Sequence, residues 1–210
     1  INLLFSFLIT WIFIKLIIKN ALYLGLTDIP NERSSHTKIT PRGAGIGFGF
    51  SFFISILIFE FSLFLEYWIV FLAIFMVFLV GILDDHKDAS PRAKFYVIFL
   101  ATFLLFLDDI SIYSLGVFLG FDLKLWYLAL PFTMFALAGF TNALNLIDGL
   151  DGLAGTISLV ILSTFLYIGY INDDNLIVTL CLFSMTSILA FLIFNWNPAD
   201  IFMGDSGSLF

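Results

Sequence analysis

Long apolar runs separated by short polar segments dominate this chain. A helix that crosses a bilayer needs about 20 mostly apolar residues. Seven runs meet or approach that length: 2–24, 44–64, 68–83, 95–107, 126–141, 153–170 and 176–194, and an eighth opens near Ser208. The 95–107 run is short, so it borrows residues from 91–94 or sits where the bilayer thins. Surrounded by lipid, each run must be helical, because a helix satisfies its backbone polar groups internally. The expected fold class is therefore all-α, a polytopic membrane bundle forming a single domain over residues 1–210.

Composition supports the bilayer as solvent. Hydrophobic residues make up 61% of the chain and charged residues 12%, against about half and a quarter in soluble domains. Phe occurs 28 times, which suits a lipid-facing surface. The first run is too long for the apolar core of a signal peptide and lacks a small-residue cleavage site. One cysteine, Cys181, excludes an internal disulfide and a cysteine-based metal cage. No basic stripe invites nucleic acid.

Span parity sorts the polar segments into two sides. Segments 27–43, 84–94, 142–152 and 195–207 share one; 65–67, 108–125 and 171–175 share the other. Of the nine Lys and Arg residues, Lys15, Lys19, Arg33, Lys38, Arg42, Lys87, Arg92 and Lys94 belong to the first side and Lys124 to the second. Positive charge stays inside, so the first side is expected in the cytosol. The pairs Asp108-Asp109 and Asp173-Asp174 fall on the outer side and read as solvated ends of short or featureless loops.

The four inner segments carry the chemistry. The first, DIPNERSSHTKITPRGAG, offers Arg33, His36, Lys38 and Arg42 to an anion, or is a basic juxtamembrane loop against anionic lipid. In GILDDHKDASPRAKF, Asp84 and Asp85 follow an apolar run directly, with Asp88 one turn on. Adjacent carboxylates repel unless a cation lies between them or one is protonated; the bland alternative is a solvated helix end. In NALNLIDGLDGLAG, Asn142, Asn145, Asp148 and Asp151 recur every third residue. A helix there would line them along one face; an Asx-turn loop is the alternative. In NPADIFMGDSGSLF, Asp205 sits at a helix start between glycines, and Phe202 could stack on a flat ring or simply pack. Carboxylates and phosphates meet through a divalent cation, so the combination points to phosphoryl transfer.

Taken in order, DIPNERSSH…PRGAG, GILDDHKD, NALNLIDGLDGLAG and NPADIFMGDSGSLF resemble the polyprenyl-phosphate N-acetylhexosamine-1-phosphate transferases, the MraY/WecA-like family. The RSSH form of the first loop is closer to the WecA-type branch that initiates O-antigen or capsule synthesis. The resemblance implies transfer of N-acetylhexosamine-1-phosphate from a UDP-sugar to undecaprenyl phosphate with release of UMP. It implies Mg²⁺, or Mn²⁺ in its place, as cofactor, a bacterial plasma membrane with the site facing the cytosol, and allows a homodimer. Asp84 and Asp85 correspond to the catalytic aspartates. Asp205 corresponds to a metal ligand, with Asp148 beside it. Asn142, Asn145 and Asp151 line the nucleotide, Phe202 stacks on uracil, and Lys38 contacts the diphosphate, with His36 in the same substrate-binding set. Ala44 stands where relatives often carry Gly. The chain begins without Met and stops before the family's His-rich loop, so the expectation is a domain truncated at both ends and inactive alone. Rival readings are a membrane prenyltransferase using DDHKD, and a transporter with intramembrane carboxylates.

Overall fold

The computed structural model describes residues 1–30, 38–87 and 90–210. His36 and Arg33 of the first loop, and Asp88, lie outside the described residues. Helix α1 spans Asn2–Leu24, α2 Ala44–Phe59, α3 Phe61–Glu66, α4 Trp68–Lys87, α5 Pro91–Leu107, α6 Ala129–Ile147, α7 Leu153–Ile171, α8 Asn175–Asn195 and α9 Asp205–Ser208. Among the described residues five helices are long and apolar enough to cross a membrane: Asn2–Leu24, Trp68–Lys87, Trp126–Ile147 (α6 with the turn before it), Leu153–Ile171 and Asn175–Asn195. Helix α2 is apolar but shorter.

Several boundaries differ from the sequence expectation. The run 44–64 is not one helix: Glu60 leaves helical geometry at φ −130° and separates α2 from α3. A carboxylate inside an apolar run is costly in hydrocarbon, and the helix ends there. Helix α4 continues to Lys87, so Asp84 and Asp85 lie on its last turn rather than in a loop. Helix α5 takes in 91–94: Ser90 caps it, accepting from the Ala93 N–H at 3.3 Å, and Pro91 occupies the first turn, where no N–H is needed. The 108–125 segment is not featureless. Strands β3 (Ser114–Phe118) and β4 (Phe121–Lys124) form an antiparallel hairpin there.

The bundle is held by α1, α2 and α8 packed together, with α7 against α8, α4 against α5, and α5 against α6. Phe48, Ile188, Phe191 and Met203 sit in one buried cluster with Ile14 and Ile201; Phe52, Ile56, Phe71 and Phe183 form a second. Between α1, α2 and α8, buried hydroxyls bond to one another: the Thr10 hydroxyl donates to Ser51 Oγ at 2.6 Å, and Ser51 Oγ to the Ser6 carbonyl at 2.9 Å. Polar contacts of this kind hold helices together where lipid removes the hydrophobic drive. A short pair, β1 (Thr27–Asp28) with β2 (Thr40–Pro41), closes the ends of the first polar loop and delivers Arg42 to the base of α4.

Candidate active site

The site is built around the turn that starts α9. Two segments distant in sequence meet there by backbone hydrogen bonds: Phe202 N–H to the Pro41 carbonyl at 2.8 Å, Ala44 N–H to the Phe202 carbonyl at 3.1 Å, and Gly45 N–H to the Met203 carbonyl at 2.9 Å. Close approach needs glycine. A Cβ on Gly81 of α4 would fall 2.6 Å from the Asp205 carbonyl oxygen, and one on Gly204 2.6 Å from Asp85 Oδ1. Gly204 also has a φ of 75°, a backbone region open to glycine.

Asp85 clamps this turn. Its carboxylate accepts the Asp205 N–H at 2.8 Å and the Ser206 N–H at 3.1 Å, and its side chain is buried with the residue 2% exposed. Arg42 Nη2 donates to the Asp85 carbonyl oxygen at 2.8 Å, tying the first polar loop to the same point. Asp84, one residue earlier on α4, points to a different partner. Lys94 Nζ lies 2.9 Å from Asp84 Oδ2 and also bonds Asp205 Oδ2. On its other oxygen Asp205 accepts from Asn145 Nδ2 at 2.9 Å, and the same amide donates to Ser208 Oγ at 2.8 Å. Burial alone would raise the Asp205 carboxyl; Lys94, Asp84 and Asn145 bond its charged form and hold it below its ordinary value.

The expected stripe of Asn142, Asn145, Asp148 and Asp151 is divided. Helix α6 ends at Ile147, so Asn142 and Asn145 share it while Asp148 is its C-cap and Asp151 lies in the turn before α7. Asn142 is exposed one turn before Asn145 and is not part of the Asp205 network among the described residues. Asp148 is half-buried and bonded by the Gly204 N–H; burial pushes its carboxyl up to about 7, and the charges of Asp205 and Asp85 add to the rise. Asp151 does other work. Its Oδ2 accepts from Asn197 Nδ2 at 3.2 Å and from the Ala199 N–H at 3.0 Å, and Asn195 Oδ1 accepts the Gly152 N–H at 2.9 Å. These bonds fasten the loop that leads into Phe202 and Asp205. Phe202 is half-buried with its backbone held on both sides. Lys38 is exposed at the end of the described part of the first loop.

The structure thus brings Asp84, Asp85, Asn145, Asp148 and Asp205 together, and leaves Asn142, Asp151 and Lys38 outside that core. Lys94 is the functional candidate that the motifs did not single out. A signal was available: Lys94 stands in the first turn of α5, where the helix dipole disfavours a cation unless carboxylates face it. The donors are all hard oxygens. Among the described residues no three His, Cys, Asp or Glu side chains form a metal cage. A cation such as Mg²⁺ takes one or two carboxylates and fills its remaining positions with phosphate oxygens and water.

Comparison with known proteins gives the arrangement a family. Residues 67–210 match the profile described as glycosyl transferase family 4. The chain is 35% identical over 205 residues to a Bacillus subtilis protein named probable undecaprenyl-phosphate N-acetylglucosaminyl 1-phosphate transferase, covering 97% of this chain and 57% of that protein. It is 30% identical over 229 residues to a phospho-N-acetylmuramoyl-pentapeptide-transferase of Listeria welshimeri, covering 97% and 69%. A shorter match, 49% identical over 78 residues, joins it to the phospho-N-acetylmuramoyl-pentapeptide-transferase of Lactobacillus helveticus, covering 37% of this chain and 24% of that protein. The chain therefore spans a little over half of the Bacillus relative and about two thirds of the Listeria one. On the match over 67–210 and these identities, this membrane-embedded chain belongs to glycosyl transferase family 4.

Proposed function

We propose that this chain carries the catalytic centre of a transferase that moves an N-acetylhexosamine-1-phosphate from a UDP-sugar to undecaprenyl phosphate and releases UMP. The observation that carries the reading is the convergence of Asp84, Asp85 and Asp205, from two distant segments, on one turn beside Lys94 and Asn145. In the transfer, an oxygen of the lipid phosphate forms a bond to the sugar-bearing phosphorus. The bridging bond from that phosphorus to the nucleotide phosphate breaks, and the electron pair leaves with UMP.

The residues divide the labour. Asp85 has both carboxylate oxygens engaged by backbone N–H groups, which suits holding the turn in place. Asp84 and Asp205 are then the carboxylates that face the reacting phosphates, with Asp148 as the neighbouring ligand. Bound Mg²⁺ would supply charge neutralisation for the diphosphate and its leaving oxygen. Asp205 and Asp148 would hold it, and Asn145 orients Asp205 from the other side. Lys94 neutralises the Asp84–Asp205 pair when no divalent cation is present. An apolar cavity of about 220 Å³, lined by Phe48, Leu144, Leu162, Ser208 and Phe210 among others, adjoins Ser208 and suits the first isoprene units of the acceptor. Phe202 is suited to stack on uracil. By span parity along the sequence, eight of the nine Lys and Arg residues are assigned to the side of the polar segments that carry Asp84, Asn145 and Asp205, which supports a cytosolic site in the plasma membrane. The RSSH loop supports a role at the start of O-antigen, capsule or related envelope polysaccharide synthesis.

The test is direct. Membranes containing the full-length protein that carries this chain are incubated with undecaprenyl phosphate, Mg²⁺ and a panel of UDP-sugars, and the lipid product is identified by mass. A sugar-diphospho-undecaprenol that disappears with chelator is the expected product. A prenylated acceptor, or no lipid-linked sugar with any donor, would overturn the reading.

A further inference from the structure

The hairpin at the opposite end of the bundle carries an unused surface. Helix α5 starts beside the Asp cluster with Lys94 and ends at Leu107; α6 returns from Ala129 to Asn145. The hairpin between them is therefore far from the chemistry. Its base is fixed to α6: Ser111 Oγ and Thr133 Oγ1 lie 2.9 Å apart, and the Ile112 N–H donates to Thr133 Oγ1 at 3.0 Å. Beyond that base, every residue of β3 and β4 is exposed.

The two faces differ in chemistry. Cross-strand partners are Ser114 with Lys124, Val117 with Asp122 and Phe118 with Phe121. Alternation along β4 then puts Leu123 on the face of Phe118 and Phe121, while Asp122 and Lys124 share the other with Ser114 and a single exposed apolar residue, Val117. The polar face is internally bonded: Ser114 Oγ donates to Asp122, and Lys124 Nζ lies 3.8 Å from it. Among the described residues the apolar face is uncovered, with Phe118 64% and Phe121 74% exposed. A two-stranded hairpin with an uncovered apolar face is marginal in water.

Three observations say what covers it. The turn residues Leu119 and Gly120 both have positive φ, 51° and 84°, as this hairpin turn requires. Asn, Asp or Gly fill such positions at least cost, yet an exposed leucine stands at the first. The chain then leaves the hairpin through Trp126, Tyr127 and Leu128, all exposed, an aromatic step of the kind that marks a membrane–water boundary. Finally, the helices that flank the hairpin also present exposed apolar side chains near it in sequence, Phe103 and Leu107 at the end of α5 and Phe135 in the first half of α6.

We propose that the 114–124 hairpin lies in the lipid interface at the end of the bundle remote from the Asp cluster, with Phe118, Leu119, Phe121 and Leu123 among the acyl chains and Asp122 and Lys124 in water. Amphipathic elements bind the headgroup–acyl boundary in this way, by burying apolar area on one side. The hairpin braces the α5–α6 pair against the membrane, and α5 and α6 carry Lys94 and Asn145.

Site-directed spin labelling tests this in lipid nanodiscs. In a Cys181→Ser background, single cysteines replace Leu119, Phe121, Asp122, Leu123 and Lys124 in turn, each labelled with a nitroxide. Collision with oxygen, which concentrates in lipid, is compared with collision with a water-soluble nickel chelate. The expected pattern alternates: oxygen dominates at 119, 121 and 123, and the nickel chelate dominates at 122 and 124. Equal nickel access at 121 and 122 would place the hairpin in water and overturn the proposal. Protection from both reagents at 121 and 123, with dipolar broadening between labels, would also overturn it and assign the face to a second copy of the chain. No outcome depends on transferase activity, so a failure here is separate from a failure of the proposed reaction.

Discussion

Three pairs of adjacent aspartates occur in this chain, Asp84-Asp85, Asp108-Asp109 and Asp173-Asp174, and the two ends of the bundle use them differently. At the hairpin end they do local turn work. Asp109 and Asp173 adopt positive φ of 58° and 53°, a region Asp tolerates, and Asp174 caps α8 by accepting the Ile177 N–H at 3.0 Å. The side chains of Asp109 and Asp174 bond residues four and three positions away. At the other end Asp85 bonds residues 120 and 121 positions away and Asp84 shares Lys94 with Asp205. Identical dipeptides thus become turn punctuation or part of a polar cluster according to what distant segments bring to them.

The sharpest way to break this contrast is at Asp205. Asp205→Asn keeps the shape and the Asn145 contact but removes the charge that Lys94, or a divalent cation, requires. Losing one oriented electrostatic contact commonly costs ~10²–10³ in rate, so lipid-linked product formation is expected to fall at least that far while the protein stays folded and inserted. Asp85→Asn should fail for another reason. Its amide would turn an N–H₂ toward the backbone N–H of Asp205 or Ser206, costing about 2–3 kcal/mol of stability, read as an earlier thermal transition in detergent. Unchanged thermal stability in Asp85→Asn would mean that the clamp is not structural.

Lys94→Met sharpens the comparison further. It removes the cation from two partly buried carboxylates, a loss of about 1–2 kcal/mol, between exposed and buried ion-pair values. The loss should appear in chelator and shrink on adding Mg²⁺. A variant equally unstable with and without Mg²⁺ would show that Lys94 and the metal do not share the position.

Asp148 gives a smaller, pH-dependent effect. Its folded pKa of about 7 lies above the ordinary 3.8. Without cation, the stability tied to this residue is therefore present below about 3.8 and is lost as pH rises through about 7. Its proton competes with a metal, so apparent divalent affinity should tighten with pH up to about 7 and then level off. A flat affinity from pH 5 to pH 8, measured by Mn²⁺ titration, would remove Asp148 from the ligand set. The smallest effect belongs to Asp109→Asn: Asn also accepts positive φ, so stability should stay within about 0.5 kcal/mol and the rate should not change.

Much of the bundle was legible because apolar runs in lipid have one solution. What escaped were the places where a run's end is decided by partners. Helix α4 keeps going through Asp84 and Asp85 because the α9 turn and Lys94 receive them there, and the α9 turn lies 120 positions on in sequence. The third-residue spacing of Asn142, Asn145, Asp148 and Asp151 was real, but α6 ends at Ile147 and sends Asp151 to the 197–199 loop. The hairpin was missed because its turn carries Leu-Gly rather than Asn-Gly, and because apolar residues on one face of a short strand look like the fringe of a span. Only a long-range map separates those cases.

In the proposed reaction, one end of this molecule gathers carboxylates from remote segments to hold a divalent cation against phosphates. Mn²⁺ binding to the purified protein, followed by electron paramagnetic resonance in the wild type, Asp205→Asn and Asp109→Asn, tests it most directly. Bound Mn²⁺ is expected in the wild type and in Asp109→Asn, and its loss in Asp205→Asn. Mn²⁺ held as tightly by Asp205→Asn as by the wild type would contradict it.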